Sequence, residues 1–372
     1  MATFAKRSFD AAAYAASRPS YPRALLDHIV AFLDRAPPAT TAAPTTLVDL
    51  GCGPGLSTFD WLDLPSSSTS SSSSHRFSRI IGVDPSPGMV AAARSILADR
   101  ATSAGQNVRF EVARGDKLSA VVDDHSVDLV IAGQAAHWFD APATYAELAR
   151  VLKPGGAFAF WGYGEFFFPG KPELSALIPR YSGGTLGPYW EQPGRSIVED
   201  LLVPFPLPAT SSSSSIPSST AAQFDPASLT RTFFLRPDAP DGAPAEPHAL
   251  PPLLEPLAAP LGPPSSSSSR STTWLAPSPS SSASPTPTSL ARLEVHRTLL
   301  LTRRWTLPQL EGYLRTWSAA HAFDEAHPGE GEGGVVSGFV RELEAAGLKE
   351  LGEGETVEVA WEMGVVMGRK KA

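Results

Sequence analysis

Short apolar runs alternate with amphipathic stretches through the first half of the chain. The runs predict five strands: Leu47–Leu50, Arg79–Asp84, Val108–Val112, Val127–Ala132 and Ala157–Trp161. Two stretches with helical spacing, 89–98 and 144–152, lie between them, and the second places Tyr145 and Leu148 on one face. Short strands that alternate with helices are typical of a parallel sheet covered on both faces.

The end of the chain carries a different pattern. Thr306 and Gln309 have the spacing of a capping box, which predicts a helix directly after them. A second helix is predicted over 335–346. Over 356–368 apolar and partly polar positions alternate, which predicts a half-exposed antiparallel strand, with 293–302 as its partner. We therefore expect an α/β, Rossmann-like fold, with a mostly parallel sheet whose last strand is antiparallel and helices on both faces.

Low-complexity sequence interrupts this pattern twice. A Ser-rich loop occupies 65–74, and residues 203–290 are rich in Ser, Pro and Ala. Such segments bury too little apolar surface to offset the entropy of ordering, so both are predicted to be largely disordered surface insertions. A strand is possible at 229–237. The predicted organisation is a core of 1–202, with an N-terminal cover and a lid segment, that continues after the insertion at 291–372.

Composition narrows the classes of function. Of 372 residues 42% are apolar, the formal net charge is -8 and the pI is about 5.5, which argues against a nucleic-acid partner. The single cysteine, Cys52, excludes a disulfide framework, and the eight histidines show no metal-binding spacing. No apolar run has the length of a membrane span. A cytoplasmic protein with no membrane partner and a monomeric state are the default expectations.

The sequence LVDLGCGPGLST at 47–58 places glycines at the exit of the first predicted strand. Gly51, Gly53 and Gly55 allow backbone conformations that a Cβ would obstruct, and they let a ligand approach the main chain. Dinucleotide enzymes favour G-x-G-x-x-G, but the sixth residue counted from Gly51 is Leu56. The observed pattern is instead D-x-G-x-G-x-G, which begins at Asp49. A purely structural strand–helix turn remains an alternative for the glycines alone.

Polar residues follow the next predicted strands, at the sheet edge where such folds bind ligands. Asp84 ends the second strand, where its carboxylate can accept the two hydroxyls of an adenosine ribose; its alternative role is to cap a helix. Asp116 follows the third strand and could accept a hydrogen bond from the adenine amino group. Gln134 lies in the segment 133–140 after the fourth strand and is assigned to the same site.

These motifs, in this order and spacing, resemble class I S-adenosylmethionine-dependent methyltransferases. More narrowly, they are similar to trans-aconitate methyltransferase-like proteins. The resemblance covers roughly 3–200 and 292–370 and leaves out the low-complexity segments. Its motifs are VDLGCGPG, GVDPSPGM, AGQAAHWFD and LKPGGAFAFWGYGE, and for the narrower family FDAAAYAASRPSYP, GPYWEQPGRSIVED, WTLPQLEGYLRTWSAAHAF and VEVAWEMGVVMGRK.

The resemblance implies a seven-stranded sheet and a set of roles. Asp49 and the loop backbone would hold the methionine end of S-adenosyl-L-methionine, Asp84 the ribose and Asp116 the adenine. The N-terminal segment with Tyr14 and Arg18 would fold over the cofactor, although Tyr14 could equally serve helix packing. The long insertion after residue 200 departs from the family pattern next to the expected substrate lid, which puts the substrate in doubt.

Candidate residues for the acceptor side follow from the same placement. His137 is the best candidate for a general base, although it could serve only to shape the pocket. Arg195 suits a carboxylate clamp but could equally form a surface ion pair. Trp138, Trp190 and Trp317 could wall the substrate, with Trp317 expected on the helix that begins near residue 308, although aromatic residues at such spacing are more often core.

The leading hypothesis is methyl transfer to a carboxylate or hydroxyl oxygen of a small molecule, with a trans-aconitate-like acid as the first guess. A carboxylate acceptor is already ionised at neutral pH and needs no base, whereas a hydroxyl acceptor needs a base or a strong orienting partner. Two alternatives remain open. One is a non-catalytic protein that keeps the fold and interacts through its Ser/Pro segments, and the other is an NAD-dependent oxidoreductase.

Overall fold

The structure is a computed structural model. It describes residues 10–35, 45–62, 64, 76–100, 107–209, 215–237, 291–328, 333–348 and 354–372, and the main chain of 272–274. The Ser-rich loop 65–74 lies outside the described residues. The same is true of 203–290 apart from 203–209, 215–237 and 272–274.

The sheet has ten strands in the described part of the chain, rather than the seven expected. Nine follow the order β3-β2-β1-β4-β5-β10-β6-β8-β7, and β9 pairs with β10. The strands are β1 (Thr46–Leu50), β2 (Arg79–Asp84), β3 (Asn107–Val112), β4 (Val127–Gly133), β5 (Leu152–Phe167), β6 (Thr230–Phe234), β7 (Thr272–Trp274), β8 (Arg292–His296), β9 (Leu301–Trp305) and β10 (Val357–Arg369).

Strands β1 to β5 are parallel, as predicted, and their order places β1 and β4 side by side at the centre. All five residues of β1 are buried, which explains why its sequence is almost continuously apolar. The strand order reverses between β1 and β4, so the loops after these two strands leave the sheet on either side of one crevice.

The last strand, β10, is antiparallel to β5, β6 and β9, as expected for the final strand. The prediction that it is half exposed is wrong, because only Glu358 and Glu362 escape burial. The reason is that core side chains pack on both faces of β10: Trp361 and Met363 belong to one buried cluster and Val366 to the other. The expected partner 293–302 divides between β8, which pairs with β6 and β7, and β9, which pairs with β10. The strand suspected at 229–237 is confirmed as β6.

Twelve α-helices occur within the described residues. They are α1 (Ala11–Ser17), α2 (Arg23–Asp34), α3 (Leu56–Leu62), α4 (Pro87–Asp99), α5 (Ala141–Val151), α6 (Pro172–Ser175), α7 (Leu177–Pro179), α8 (Gly194–Glu199), α9 (Ser218–Ala221), α10 (Leu307–Leu314), α11 (Ser318–Ala326) and α12 (Gly334–Ala345). None of them is long and apolar enough to cross a membrane.

The helix ends follow the local sequence. The capping box predicted at Thr306 and Gln309 is present at the start of α10. Ser86 and Asp140 accept backbone N–H groups at the first turns of α4 and α5. Trp317 does not lie on α10 as expected, because that helix ends at Leu314 and Trp317 is the N-cap of α11.

Aromatic side chains fill the two faces of the sheet. One face buries Trp61, Trp161 and Trp361, and the other buries Tyr145 and Phe158. Each such side chain contributes roughly 1.5–3 kcal/mol by leaving water. The buried Tyr145 hydroxyl donates to the Pro206 carbonyl at 3.1 Å, so no unpaired hydroxyl offsets that gain. These two layers fix the sheet edge on which the candidate site lies.

Candidate functional site

Two cavities lie at the carboxyl ends of the parallel strands. The first, here the loop cavity, measures about 160 Å³ and includes Gly53 and Asp84 in its wall. The second, here the aromatic cavity, measures about 90 Å³ and includes Arg18 and Trp190. The two adjoin, because both are lined by Tyr14, Gln134 and Trp138.

The glycine loop forms one wall of the loop cavity. The Gly51 and Cys52 amides donate to the Val83 carbonyl at 2.8 and 3.0 Å, which anchors the loop to the end of β2. Gly53 has a φ of +54°, and a Cβ there would meet no protein atom within 4 Å, so its bare backbone faces open space. Gly55 does not line either cavity. Its φ is +90°, and a Cβ there would lie 2.7 Å from the Phe59 ring, so this glycine serves packing.

Asp84 lies beside the loop at the end of β2. Its Oδ2 accepts the Gly53 amide at 3.0 Å, and its Oδ1 accepts the Ser86 amide at 2.8 Å. Burial raises the pKa of this carboxyl, and the two amides oppose that rise. Each oxygen has received one hydrogen bond and retains lone pairs toward the loop cavity. The helix-cap alternative applies to Ser86, whose hydroxyl oxygen accepts the Met89 amide at the start of α4.

Asp116 lines the same cavity after β3. Its two oxygens accept hydrogen bonds from Arg114 Nε and Nη2 at 2.9 and 2.8 Å, and this contact lowers the pKa of Asp116. The carboxylate therefore stays ionised at the cavity wall and presents its remaining lone pairs there. Arg114, which also lines the cavity, has no role in the sequence-based prediction.

Asp49 is not in the wall of either cavity, contrary to the expectation that it holds a ligand directly. It is fully buried in β1, and Thr58 Oγ1 donates to its Oδ2 at 2.7 Å. Burial raises its pKa to about 7, with a further contribution from the charge of Asp84. Its Oδ1 accepts no hydrogen bond and has no exposed area.

Gln134 occupies the junction of the two cavities in a left-handed conformation, with a φ of +51°. Its Nε2 donates to the Tyr163 carbonyl at 3.0 Å, and its Oε1 accepts the Tyr163 amide at 3.1 Å. The side-chain amide thus joins the ends of β4 and β5. Both of its polar ends are already satisfied by the main chain, which favours a positioning role for the backbone of β5.

The N-terminal helix α1 lies at the junction of the two cavities. Tyr14 on α1 lines both cavities, and the Arg18 guanidinium lies 5.0 Å from its ring centre. Arg18 donates from Nη1 to the Tyr163 hydroxyl at 3.0 Å and from Nη2 to the Thr316 carbonyl at 3.4 Å, whereas its buried Nε has no partner. No carboxylate within the described ranges lies at ion-pair distance from Arg18. It lines the aromatic cavity rather than the loop cavity.

His137 lies in a 3₁₀ turn, Ala136–Trp138, after β4 and lines the aromatic cavity. Burial, with a further contribution from the charge of Arg18, lowers its pKa to about 3. The imidazole is therefore neutral at physiological pH, and a group with so low a pKa is a weak proton acceptor. Its Nδ1 is buried without a partner.

Arg195 also lines the aromatic cavity, but its charge is already compensated. Its Nη2 pairs with Glu165 Oε1, its Nε lies 2.7 Å from Glu199 Oε1, and its guanidinium lies 4.2 Å from the Trp190 ring centre. With two carboxylates beside it, Arg195 has little charge left for a substrate. The ion-pair alternative is the better description of this residue.

The three tryptophans come together in the aromatic cavity. Trp190 and Trp317 are 5.5 Å apart between ring centres, and Trp138 lies 4.8 Å from the ring of His137. Trp317 is also packed into the core, so the wall and the core interpretations both hold for it. Residues that the sequence-based prediction missed include Arg114, Ser86, Met89 and Thr144 in the loop cavity, and Tyr163, Glu165, Glu191, Tyr313 and Ser318 in the aromatic cavity.

The comparisons with known proteins agree with this geometry. Residues 48–160 match the family model described as a methyltransferase domain. "Probable S-adenosylmethionine-dependent methyltransferase CRG1" of Saccharomyces cerevisiae is 30% identical over 198 residues, 53% of this chain and 60% of that protein. A "Putative methyltransferase" of Dictyostelium discoideum is 27% identical over 124 residues, 33% of this chain and 43% of that protein. The chain thus spans less than two thirds of the length of these relatives.

The fold also matches a solved structure, the "Putative Type II Methyltransferase" of Anaeromyxobacter dehalogenans. The TM-score is 0.53 at 22% identity, and the match covers 95% of this chain and 97% of that one. This likeness shows the fold. The expected Rossmann-like fold of methyltransferases is therefore confirmed, whereas the narrower resemblance to trans-aconitate methyltransferase-like proteins stays a prediction.

Proposed function

We propose that this chain is an S-adenosylmethionine-dependent methyltransferase that acts on an oxygen of a small acid. The observation that carries the proposal is that two cavities with different chemistry adjoin. The loop cavity has the bare main chain of Gly53 and the carboxylate of Asp84 in its wall. The aromatic cavity has the guanidinium of Arg18, which no described carboxylate compensates. When bound, S-adenosylmethionine supplies a methyl group on a positively charged sulfur.

The loop cavity fits the nucleoside part of this cofactor. Gly53 leaves its main chain open to a ligand, and Asp84 keeps lone pairs on both oxygens for two neighbouring hydroxyls. Asp116, held ionised by Arg114, is an acceptor for an exocyclic amino group. The fully buried Asp49 lines neither cavity; it accepts a hydrogen bond from Thr58 and so connects β1 to α3, the helix after the loop.

The aromatic cavity fits an acceptor with a carboxylate. Among the described residues, four charged side chains line it: Arg18, Arg195, Glu165 and Glu191. Arg195 is paired with Glu165 and Glu199, so Arg18 is the cation that remains for an anionic ligand. A guanidinium half-buried among aromatic rings attracts a carboxylate more strongly than one in water does. A trans-aconitate-like acid is the first compound to test, and the chain's partner is a small molecule.

Three experiments separate this proposal from its alternatives. Calorimetry with S-adenosylhomocysteine and with NAD distinguishes the cofactor, and micromolar binding of the first alone is expected. Purified protein, S-adenosylmethionine and a panel of small carboxylic acids are then incubated and examined by mass spectrometry for products that gain one methyl group. Cofactor binding without turnover on the panel or on a metabolite extract would favour the non-catalytic alternative, and binding of NAD alone would favour the oxidoreductase.

A substitution of Arg18 tests binding of the acid separately from binding of the cofactor. Arg18→Gln should raise the KM for the acid about tenfold or more, because it removes a charge-assisted contact worth on the order of 1.5–3 kcal/mol. Affinity for S-adenosylhomocysteine should change less, because Arg18 does not line the loop cavity. An unchanged KM would contradict the assignment of Arg18 to the acceptor.

A further inference from the structure

Strand β5 contains an irregularity where it borders the aromatic cavity. Tyr163 pairs with Met363 of β10, and Phe166 pairs with Trp361. Two residues of β5 therefore lie between these pairs, opposite a single residue of β10. The extra residue forms a β-bulge at Gly164 and Glu165. Bulges often redirect a side chain near a functional site.

The bulge changes which way the strand presents its side chains. From Gly156 to Phe167 every residue of β5 is buried except the bulged pair, which are partly buried and line the aromatic cavity. A regular strand at this point would alternate between the two packed faces of the sheet. The bulge therefore places a glutamate in a cavity wall where regular pairing would place a packed residue.

Glu165 has one oxygen in use and one that is not. Ser182 Oγ donates to Oε1, and Arg195 Nη2 pairs with the same atom. The side chain is 12% exposed, and no described group donates to Oε2. The contacts on Oε1 hold the carboxylate in place, and Oε2 keeps both lone pairs for a ligand in the cavity.

Two other described side chains with proton-accepting atoms line this cavity, His137 and Glu191. Burial and Arg18 lower the pKa of His137 to about 3, and its Nδ1 has no exposed area. Glu191 is engaged in another interaction, whereas Glu165 keeps an oxygen to which no described group donates. Arg18 supplies a positive charge in the same cavity, so its guanidinium and Oε2 of Glu165 are available to the same ligand.

We propose that Glu165 accepts the proton of a hydroxyl group that is methylated, and that the acceptor is a hydroxy acid whose carboxylate pairs with Arg18. This assignment rests on the proposed function and narrows it from any oxygen to a hydroxyl. The hydroxyl oxygen forms its bond to the methyl carbon as the carbon–sulfur bond breaks, with that electron pair going to sulfur. The hydroxyl proton passes to Glu165 Oε2 and afterwards to water. The products are a methyl ether and S-adenosylhomocysteine.

The six aromatic side chains of the cavity wall favour a planar acceptor. Rings of Trp138, Trp190 and Trp317 lie among those of Tyr14, Tyr163 and Tyr313. Flat unsaturated molecules bury the most surface against such rings. An aromatic hydroxy acid therefore combines all three features of the cavity: a ring, a carboxylate and a hydroxyl.

The experiment uses the full chain and a matched pair of probes, 4-hydroxycinnamate and cinnamate, which differ only in the hydroxyl. Products are separated by mild alkaline hydrolysis, which cleaves a methyl ester and leaves a methyl ether. We expect an alkali-resistant product from 4-hydroxycinnamate and none from cinnamate. Ester products from either probe, or no methylated product at all, would overturn the inference. S-adenosylhomocysteine binding, measured in parallel, reports separately on the proposed function.

Two variants assign the proton acceptor. Glu165→Gln keeps the size of the side chain and should lower kcat about a hundredfold, the ordinary contribution of a general base, with unchanged affinity for S-adenosylhomocysteine. The control is Glu199→Gln, which removes the other carboxylate beside Arg195 and lies outside both cavity walls. Its kcat should stay within about threefold of wild type. Equal losses in the two variants would mean that Glu165 acts only by neutralising Arg195, and would overturn the inference.

Discussion

Asp84 and Arg195 are both expected from the sequence to contact a ligand, yet their surroundings differ. Asp84 receives one amide hydrogen bond on each oxygen and faces the loop cavity. Arg195 is held between Glu165 and Glu199. The contacts of Asp84 could be expected from the sequence, because the glycine loop and Asp84 lie at the ends of the neighbouring strands β1 and β2. The partner Glu165 is distant in sequence and was redirected by a bulge that no local pattern indicates.

At the same scale, His137 should contribute little as a base. Its pKa of about 3 keeps it neutral throughout the accessible pH range, so it gives the pH–rate profile no inflection between pH 5 and 8. His137→Gln should lower kcat by less than about tenfold, a smaller loss than that of an ordinary general base. A wild-type inflection near pH 6.5 that disappears in this variant would show that His137 titrates and acts in the reaction.

Asp49 gives a stability prediction with a definite sign. Burial raises its pKa in the folded protein to about 7, above the unfolded value near 4, so the folded state binds more protons between these pH values. This group therefore adds stability as pH falls from 7 toward 5, and that stability is lost as pH rises through 7. Urea titrations at pH 5, 6, 7 and 8 should show this trend in wild type relative to Asp49→Asn. If the free energy of unfolding changed with pH in the same way in wild type and Asp49→Asn, the raised pKa of Asp49 would be contradicted.

At the scale of elements, strand and helix positions were largely predictable, because they depend on local periodicity. Strand β2 has the predicted bounds, and α12 lies within one residue of its prediction. The pairing of β10 was not predictable in full, because two different strands share one of its edges over different lengths. The apparent alternation in β10 reflects two buried faces of different polarity rather than one exposed face.

A pair of glycine substitutions tests how tightly β10 is packed. A Cβ at Gly364 would overlap the Leu201 carbonyl oxygen, whereas a Cβ at the exposed Gly338 of α12 would meet only the end of Arg341. Gly364→Ala should destabilise the fold by about 1–3 kcal/mol through overpacking. Gly338→Ala should stabilise it by about 1 kcal/mol through helix propensity. Chemical denaturation measures both changes in stability. A Gly364→Ala variant with the wild-type free energy of unfolding would contradict the close approach of Leu201.

At the scale of the whole molecule, the low-complexity sequence does not interrupt the sheet. Leu64 and Arg76 are joined by a 2.9 Å hydrogen bond from the Arg76 amide to the Leu64 carbonyl, across the segment 65–75. The strand order and the site are built from residues on both sides of such segments. Composition indicated where these segments lie, and the short apolar cluster within 229–237 indicated that β6 forms inside the longer one.

Because the hydrogen bond between Arg76 and Leu64 holds the two ends of the Ser-rich segment together, we predict that the segment can be shortened. Replacement of 65–75 by four Gly and Ser residues should raise the free energy of unfolding by about 0.5–1 kcal/mol, because a shorter loop loses less entropy on closing. Affinity for S-adenosylhomocysteine should not change, since Leu64 and Arg76, the described residues on either side of the segment, do not line the loop cavity. Weaker binding in the shortened protein would assign this segment to the site.

The most direct test of the central claim is calorimetry of S-adenosylhomocysteine binding to Asp84→Asn, with Asp99→Asn as a control at the exposed end of α4. Asp84→Asn keeps one acceptor oxygen for the loop and removes the charge that receives the ribose hydroxyls. We predict about tenfold or greater loss of affinity for Asp84→Asn, with an unaltered circular dichroism spectrum, and no loss for the control. Equal affinity in wild type and Asp84→Asn would contradict the assignment of this cavity to a nucleoside cofactor.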